Sequence, residues 1–160
     1  MTVRGKLTIH TKARGAELGD LYGIFFEDLN HAADGGLYAE LVQNRSFEFD
    51  PIDRADYHAL TAWEKVERGD GIAELRIETA HPIHPRNEHY AGITIISEGA
   101  GVGIMNRGFN TGIPIKRGEK YVFSMYARRD ASYDEPVLVA IESLDGTVQA
   151  QASIMVTSAE

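Results

Sequence analysis

Two carboxylates stand directly behind an apolar run in GIFFEDLNHAADGG, residues 23–36. Glu27 and Asp28 follow Phe25 and Phe26, and the stretch then gives way to Asn30, His31, Asp34 and a Gly pair. A carboxylate at the end of a buried strand accepts strong, directional hydrogen bonds from hydroxyl groups. General acid–base work asks for more, a second acid within reach of the same atoms. Residues 1–45 offer none with a motif for that role, since Glu17, Asp20 and Glu40 read as surface or loop residues. Taken alone, Glu27 and Asp28 also fit a salt-bridged or solvated strand end. Asn30 and His31 share the loop, where they line a pocket or hydrogen-bond the loop's own backbone.

The elements that position these residues follow from hydrophobic periodicity. KLTIHT (6–11) alternates and reads as a half-buried strand, whereas LYGIFFE (21–27) is nearly continuously apolar, as in a strand covered on both faces. Asp34-Gly35-Gly36 is a turn signal. LYAELVQN (37–44) then places Leu37, Tyr38, Leu41 and Val42 at helical spacing, which predicts a short helix over 36–44. Residues 21–44 therefore read strand, loop, helix, one βα unit.

Beyond residue 45 the pattern turns to short alternating runs: 61–67, 72–78, 90–96, 101–107, 121–127, 136–143 and 147–156. Gly-bearing turns separate them, including Arg68-Gly69-Asp70-Gly71 and Asp145-Gly146. This spacing predicts an antiparallel β-sandwich over 46–160 with almost no helix. Trp63, Ile77, Ile93, Ile95, Val122 and Ile141 are expected to be mostly buried. A jelly-roll needs about eight strands, and a lone βα unit leaves an open edge. Both halves read as unfinished, so the chain is expected to be the N-terminal fragment of a larger protein. The fold class is mainly β: a partial jelly-roll sandwich (46–160), incomplete at its C-terminus, preceded by a strand and one βα unit of a (β/α)8 barrel (1–45).

Composition narrows the partners. The chain has 160 residues, with 43% hydrophobic and 25% charged, the balance of a globular protein. Its net charge is −8 and it carries no basic stripe, which argues against nucleic acid and anionic membrane and suits a neutral ligand such as a sugar. It has no cysteine and thus neither disulfides nor thiolate chemistry. No run approaches the length of a membrane span, and no apolar leader is visible, which leads to an expectation of a cytoplasmic protein, secretion remaining open.

LYGIFFEDLNHAADGGLYAELVQNRSFEF, residues 21–49, resembles the opening of the glycoside hydrolase family 51 α-L-arabinofuranosidases. The shared pattern is Leu/Ile-Tyr-Gly, an apolar run, a Glu, and a Gly-Gly where Gly35 and Gly36 stand. NRSFEF, AWEKV and IKRGEKYVFSMYARRD are similar to strands of carbohydrate-binding modules of the family 4/9 type, which one branch of that family inserts after the first barrel helix. The resemblance implies the N-terminal part of a retaining α-L-arabinofuranosidase acting on arabinoxylan- or arabinan-type substrates. It implies that Glu27 emerges at the barrel rim and hydrogen-bonds arabinofuranose hydroxyls; Asn30, in the loop that follows, is a candidate second contact on its position alone. Asp28 departs from the His that other members often carry. Retaining glycosidases need two carboxylates about 5–5.5 Å apart, and the resemblance puts both on later strands. The fragment is thus expected to hold no catalytic residue and to be inactive alone, the remainder of the enzyme or a second chain completing the fold.

The same resemblance implies a structural Ca²⁺ near the first sandwich strand, for which Glu48 and Asp50 supply oxygen ligands; plain surface acids are the other reading, and no other cofactor is expected. His81, His84 and His89, spaced by two prolines, fit no tight zinc motif and read as a solvated loop. Trp63, Tyr90, Phe109, Tyr121 and Tyr126 are the aromatics available for stacking on sugar rings, although alternation assigns most of them to a core. The alternative function is a non-catalytic carbohydrate-binding module.

Overall fold

The structure, a computed structural model, describes Glu27, His31 and residues 33–158. The chain divides into two compact units, Met1–Glu40 and Leu41–Glu160. The expected strands at 6–11 and 21–27 lie outside the described residues, apart from Glu27, which is exposed and in no regular element. In the first unit, Asp34 bridges Tyr38 across a tight turn closed by the amides of Gly36 and Tyr38, which both donate to the Ala33 carbonyl at 3.2 and 2.9 Å.

The helix expected over 36–44 is not formed; those residues are turns and irregular chain. A helix this short survives only when its apolar face is packed. Leu37 and Tyr38, which would head that face, are 84% and 57% exposed. The other end is claimed by sequence-distant partners. The Gln43 amide donates to Asn106 Oδ1 at 3.2 Å, and Asn106 Nδ2 donates to the Gln43 carbonyl at 2.9 Å. Asn44 then adopts φ +52°, which ends any right-handed helix.

The second unit is built from strands, as its alternation predicts: β1 (Trp63–Arg68), β2 (Ile72–Glu78), β3 (Tyr90–Ser97), β4 (Gly101–Asn106), β5 (Val137–Glu142) and β6 (Val148–Ile154). They pair antiparallel as three two-stranded ribbons, β1–β4, β2–β3 and β5–β6. The outer pair runs in register from Trp63 opposite Asn106 to Arg68 opposite Gly101. The inner pair runs from Ala73 opposite Ile95 to Glu78 opposite Tyr90. The chain leaves β1 for β2 and returns from β3 to β4 at one shared corner. There the Arg68 carbonyl accepts from Gly71 and Ala100 at 3.1 and 2.9 Å. The corner is tight: a methyl at Gly99 would sit 1.9 Å from the Gly71 nitrogen.

Two polar side chains join the ribbons past that corner. Lys65 Nζ donates to the Ala73 carbonyl at 2.9 Å, and the Ala73 amide donates to Glu67 Oε1 at 2.8 Å. Lys65 also pairs with Glu67 at 2.8 Å. Ala73 is accordingly only 2% exposed, one of the few buried apolar residues with Phe109 and Val156. Cross-strand partners share a face, yet Ile95 and Ile93, opposite Ala73 and Leu75, stay 39% and 40% exposed. The expectation that they are buried fails because the half-buried part of β3 ends at Gly92 and residues 93–96 stay exposed. Trp63, Ile77 and Ile141 are half-buried.

In the third ribbon the Asp145-Gly146 turn signal is realised. Asp145 Oδ1 accepts from the Ser143 hydroxyl at 2.7 Å and the Thr147 amide at 3.0 Å. These bonds, the hydroxyl first, hold the Asp145 carboxyl down at about 2. Residues 121–127, expected as a strand, form no ladder, and Val122, expected inside, is 83% exposed. The run has strand grammar, but no strand among the described residues pairs with it.

Candidate functional site

The residues singled out by their chemistry are dispersed rather than gathered. Glu27 is exposed, and Asn30 and Asp28 lie outside the described residues. Asp50 works locally: its Oδ1 accepts the Ile52 amide at 2.8 Å, an Asx-type turn ahead of Tyr57. The Phe49 and Tyr57 rings stack at 4.5 Å with Arg54 over Tyr57 at 5.0 Å.

Glu48 faces a different partner set. Its Oε1 accepts from the His89 amide at 2.9 Å and from Asn87 Nδ2 at 3.1 Å, and its Oε2 lies 2.5 Å from His89 Nδ1. Asn87 Nδ2 also reaches the Ser46 carbonyl at 3.1 Å. The cluster ties the segment that enters the β-unit to the loop preceding β3. Burial alone would raise the Glu48 carboxyl, but the His89 amide, the imidazole and its charge, and the Asn87 amide together bring it below its ordinary value. Calcium asks for six to eight oxygens. Both Glu48 oxygens are already engaged and Asp50 turns to its own backbone, so the two carboxylates do not make a common donor set. Among the described residues no group of three or more His, Asp or Glu side chains is placed to hold a metal.

Of the other loop histidines, His84 Nδ1 accepts the Arg86 amide at 3.0 Å and His81 is exposed with φ +58°. Two of the aromatics bond to backbone groups. Tyr90 donates to the Ala80 carbonyl at 2.6 Å beneath the Arg128 guanidinium, 4.8 Å from its ring. Tyr121 accepts the Lys116 amide at 2.9 Å. Tyr126 is 91% exposed and Trp63 is not, so the two form no joint stacking face. An open cleft of about 470 Å³ lies between the ribbons, lined by Leu60, Trp63, Lys65, Ala73, Leu75 and the Glu74–Arg76 pair.

A buried residue that periodicity does not flag fastens the entrance to the β-unit. Asn44, 3% exposed, donates from Nδ2 to the carbonyls of Ala59 (2.8 Å) and Thr61 (3.1 Å) and accepts the Phe49 amide on Oδ1 at 3.2 Å. Its own carbonyl accepts the Trp63 indole N–H at 2.9 Å, and Phe47 lies 5.0 Å from that ring. Asn106 repeats the device on β4, accepting from Gln43 and Gly108. The signal available in the sequence was the Asn that opens NRSFEF, a stretch that the resemblance likens to a strand.

Carboxylates on the strands are mostly paired with bases. Glu64 grips Arg107 through two bonds of 2.9 Å, and Glu142 grips Arg68 through bonds of 2.8 and 2.7 Å. No helix among the described residues is long and apolar enough to cross a membrane.

No family model matches the chain, and no solved structure matches it. Curated relatives do. An extracellular exo-α-L-arabinofuranosidase from Streptomyces chartreusis is 41% identical over 151 residues, 94% of this chain and 17% of the relative. Alpha-L-arabinofuranosidase 2 from Arabidopsis thaliana is 32% identical over 80% of this chain and 19% of the relative. Alpha-L-arabinofuranosidase A from Aspergillus kawachii is 31% identical over 95% of this chain and 22% of the relative. The chain thus spans about a fifth of the length of the relatives it matches. Over most of its own residues it is similar to one stretch of α-L-arabinofuranosidases from a bacterium, a plant and a fungus.

Proposed function

We propose that this chain is the N-terminal part of a retaining α-L-arabinofuranosidase that releases arabinofuranose from arabinoxylan- or arabinan-type glycans. The observation that carries the reading is a match at 41% identity running through 94% of the chain to a protein named for that activity. The division of labour assigns residues 1–45 to the catalytic barrel, with Glu27 and Asn30 as substrate contacts, and residues 46–160 to a β-module. The catalytic carboxylates belong to the remainder of the enzyme, and an arabinose-containing glycan is the partner. The expectation of a cytoplasmic protein finds no support in the relatives. The Streptomyces protein is named extracellular, and secretion is the reading it favours.

Two measurements test this. The full-length protein should hydrolyse an aryl α-L-arabinofuranoside, and the purified 160-residue chain should not; a full-length protein inert on that substrate ends the proposal. In the full-length enzyme, Glu27→Gln turns one acceptor oxygen into a donor. A hydrogen bond to a charged group contributes about 1.5–3 kcal/mol, so kcat/KM should fall roughly tenfold to a few hundredfold. The pH profile should keep its shape, because Glu27 transfers no proton. Loss of one limb of that profile would make Glu27 an acid or base and overturn its assigned role.

A further inference from the structure

Residues 121–127, YVFSMYA, have the composition of a strand covered on both faces, yet among the described residues none of them joins a ladder. Val122 and Tyr126 are 83% and 91% exposed, Phe123 and Met125 49% and 41%. An unpaired strand of this kind offers a full row of amides and carbonyls as well as its side chains.

The end of that stretch shows which chain fits it. The Arg129 amide donates to the Ser158 carbonyl at 3.0 Å, and Arg129 Nε donates to the Val156 carbonyl at 2.8 Å. The other arm of the guanidinium is held by the carbonyls of Asp130, Ala131 and Tyr133. Val156 is buried at the contact. Arg129 therefore fastens the outgoing chain past β6 against the C-terminal end of the unpaired stretch. Two directions continue such a contact. If the strands ran parallel, residues 121–127 would lie along Val148–Ile154 and bond to it, and they do not. If they run antiparallel, the partner of 121–127 is the polypeptide that follows residue 160.

We propose that in the full-length protein the segment immediately after residue 160 lies antiparallel along residues 121–127 as a β-strand, with the Arg129–Ser158 contact as the first rung of the ladder. This rests on the reading that the chain is part of a longer enzyme, which the length of its relatives supports. The added strand satisfies the free amides and carbonyls of the run and sets its own side chains beside Val122 and Tyr126.

The test compares amide hydrogen exchange in the full-length protein and the 160-residue chain. Amides of 121–127 should exchange at least about a hundredfold more slowly in the full-length protein. A photoreactive Tyr126→benzoylphenylalanine variant of the full-length protein then identifies the occupant by mass spectrometry, the substituted side chain being exposed in this chain. A cross-link to the peptide following residue 160 is the expected result. Equal exchange in both chains, or a cross-link to a distant segment or a second molecule, overturns the proposal. Arabinofuranoside hydrolysis is assayed on the same preparation. Protection without hydrolysis keeps the strand and removes the enzyme reading, and hydrolysis without protection removes the strand alone.

Discussion

Replacing Asn44 should unfasten the entrance to the β-unit, and its cost can be worked from the contacts. The side chain is 3% exposed and makes three hydrogen bonds to backbone groups. A net hydrogen bond contributes about 1 kcal/mol, more when its buried partner is left unpaired. Asn44→Gly should therefore cost about 2–3 kcal/mol, because glycine accepts φ +52° freely. Asn44→Ala loses the same bonds and adds a left-handed penalty of about 1–2 kcal/mol, for a total of about 3–5 kcal/mol. Asn44→Asp keeps the acceptor for Phe49 but aims an oxygen at the Ala59 and Thr61 carbonyls, so it should be no better than alanine. The assay is urea unfolding followed by the fluorescence of Trp63, the sole tryptophan, whose indole donates to the Asn44 carbonyl. With a urea slope of about 1–3 kcal/mol/M, the alanine variant should lose one molar or more of midpoint. If alanine and glycine both unfold within about 0.5 kcal/mol of the parent chain, the hub assigned to Asn44 does not exist.

Gly99→Ala should destabilise by about 2–3 kcal/mol, since its methyl would sit 1.9 Å from the Gly71 nitrogen. Gly118→Ala, at φ +88° with nothing within 4 Å, isolates the backbone penalty of about 1 kcal/mol, and equal thermal midpoints for the two variants would contradict the tight corner. For Glu48, the folded carboxyl lies below its ordinary value of 4.5, so its stabilisation is complete above that pH and is lost as pH falls through the lower folded value. Melting temperatures taken from neutral pH to about pH 3 should fall along an acid limb that Glu48→Gln flattens. An identical acid limb in that variant would show that the His89 contact does not form in solution.

What the sequence by itself determined is the strand content of the β-unit and its punctuation. Alternation in IAELRIE is visible as Ala73 and Leu75 turned inward, and Asp145-Gly146 carries its turn through bonds two residues long. Such signals are legible because their physics is local. It also determined the likeness to arabinofuranosidases, which rests on residue identity rather than on geometry. Tertiary structure decided what depends on distant partners. LYAELVQN has helical spacing, but Leu37 and Tyr38 at the head of its apolar face are exposed and its end is taken by Asn106 from β4. YVFSMYA has strand grammar, but a ladder needs a neighbour. Glu48 carried an expectation of calcium from the resemblance to carbohydrate-binding modules, and the fold sets it against His89, 41 residues away. Periodicity reports which face a residue prefers, and only the fold supplies what stands opposite.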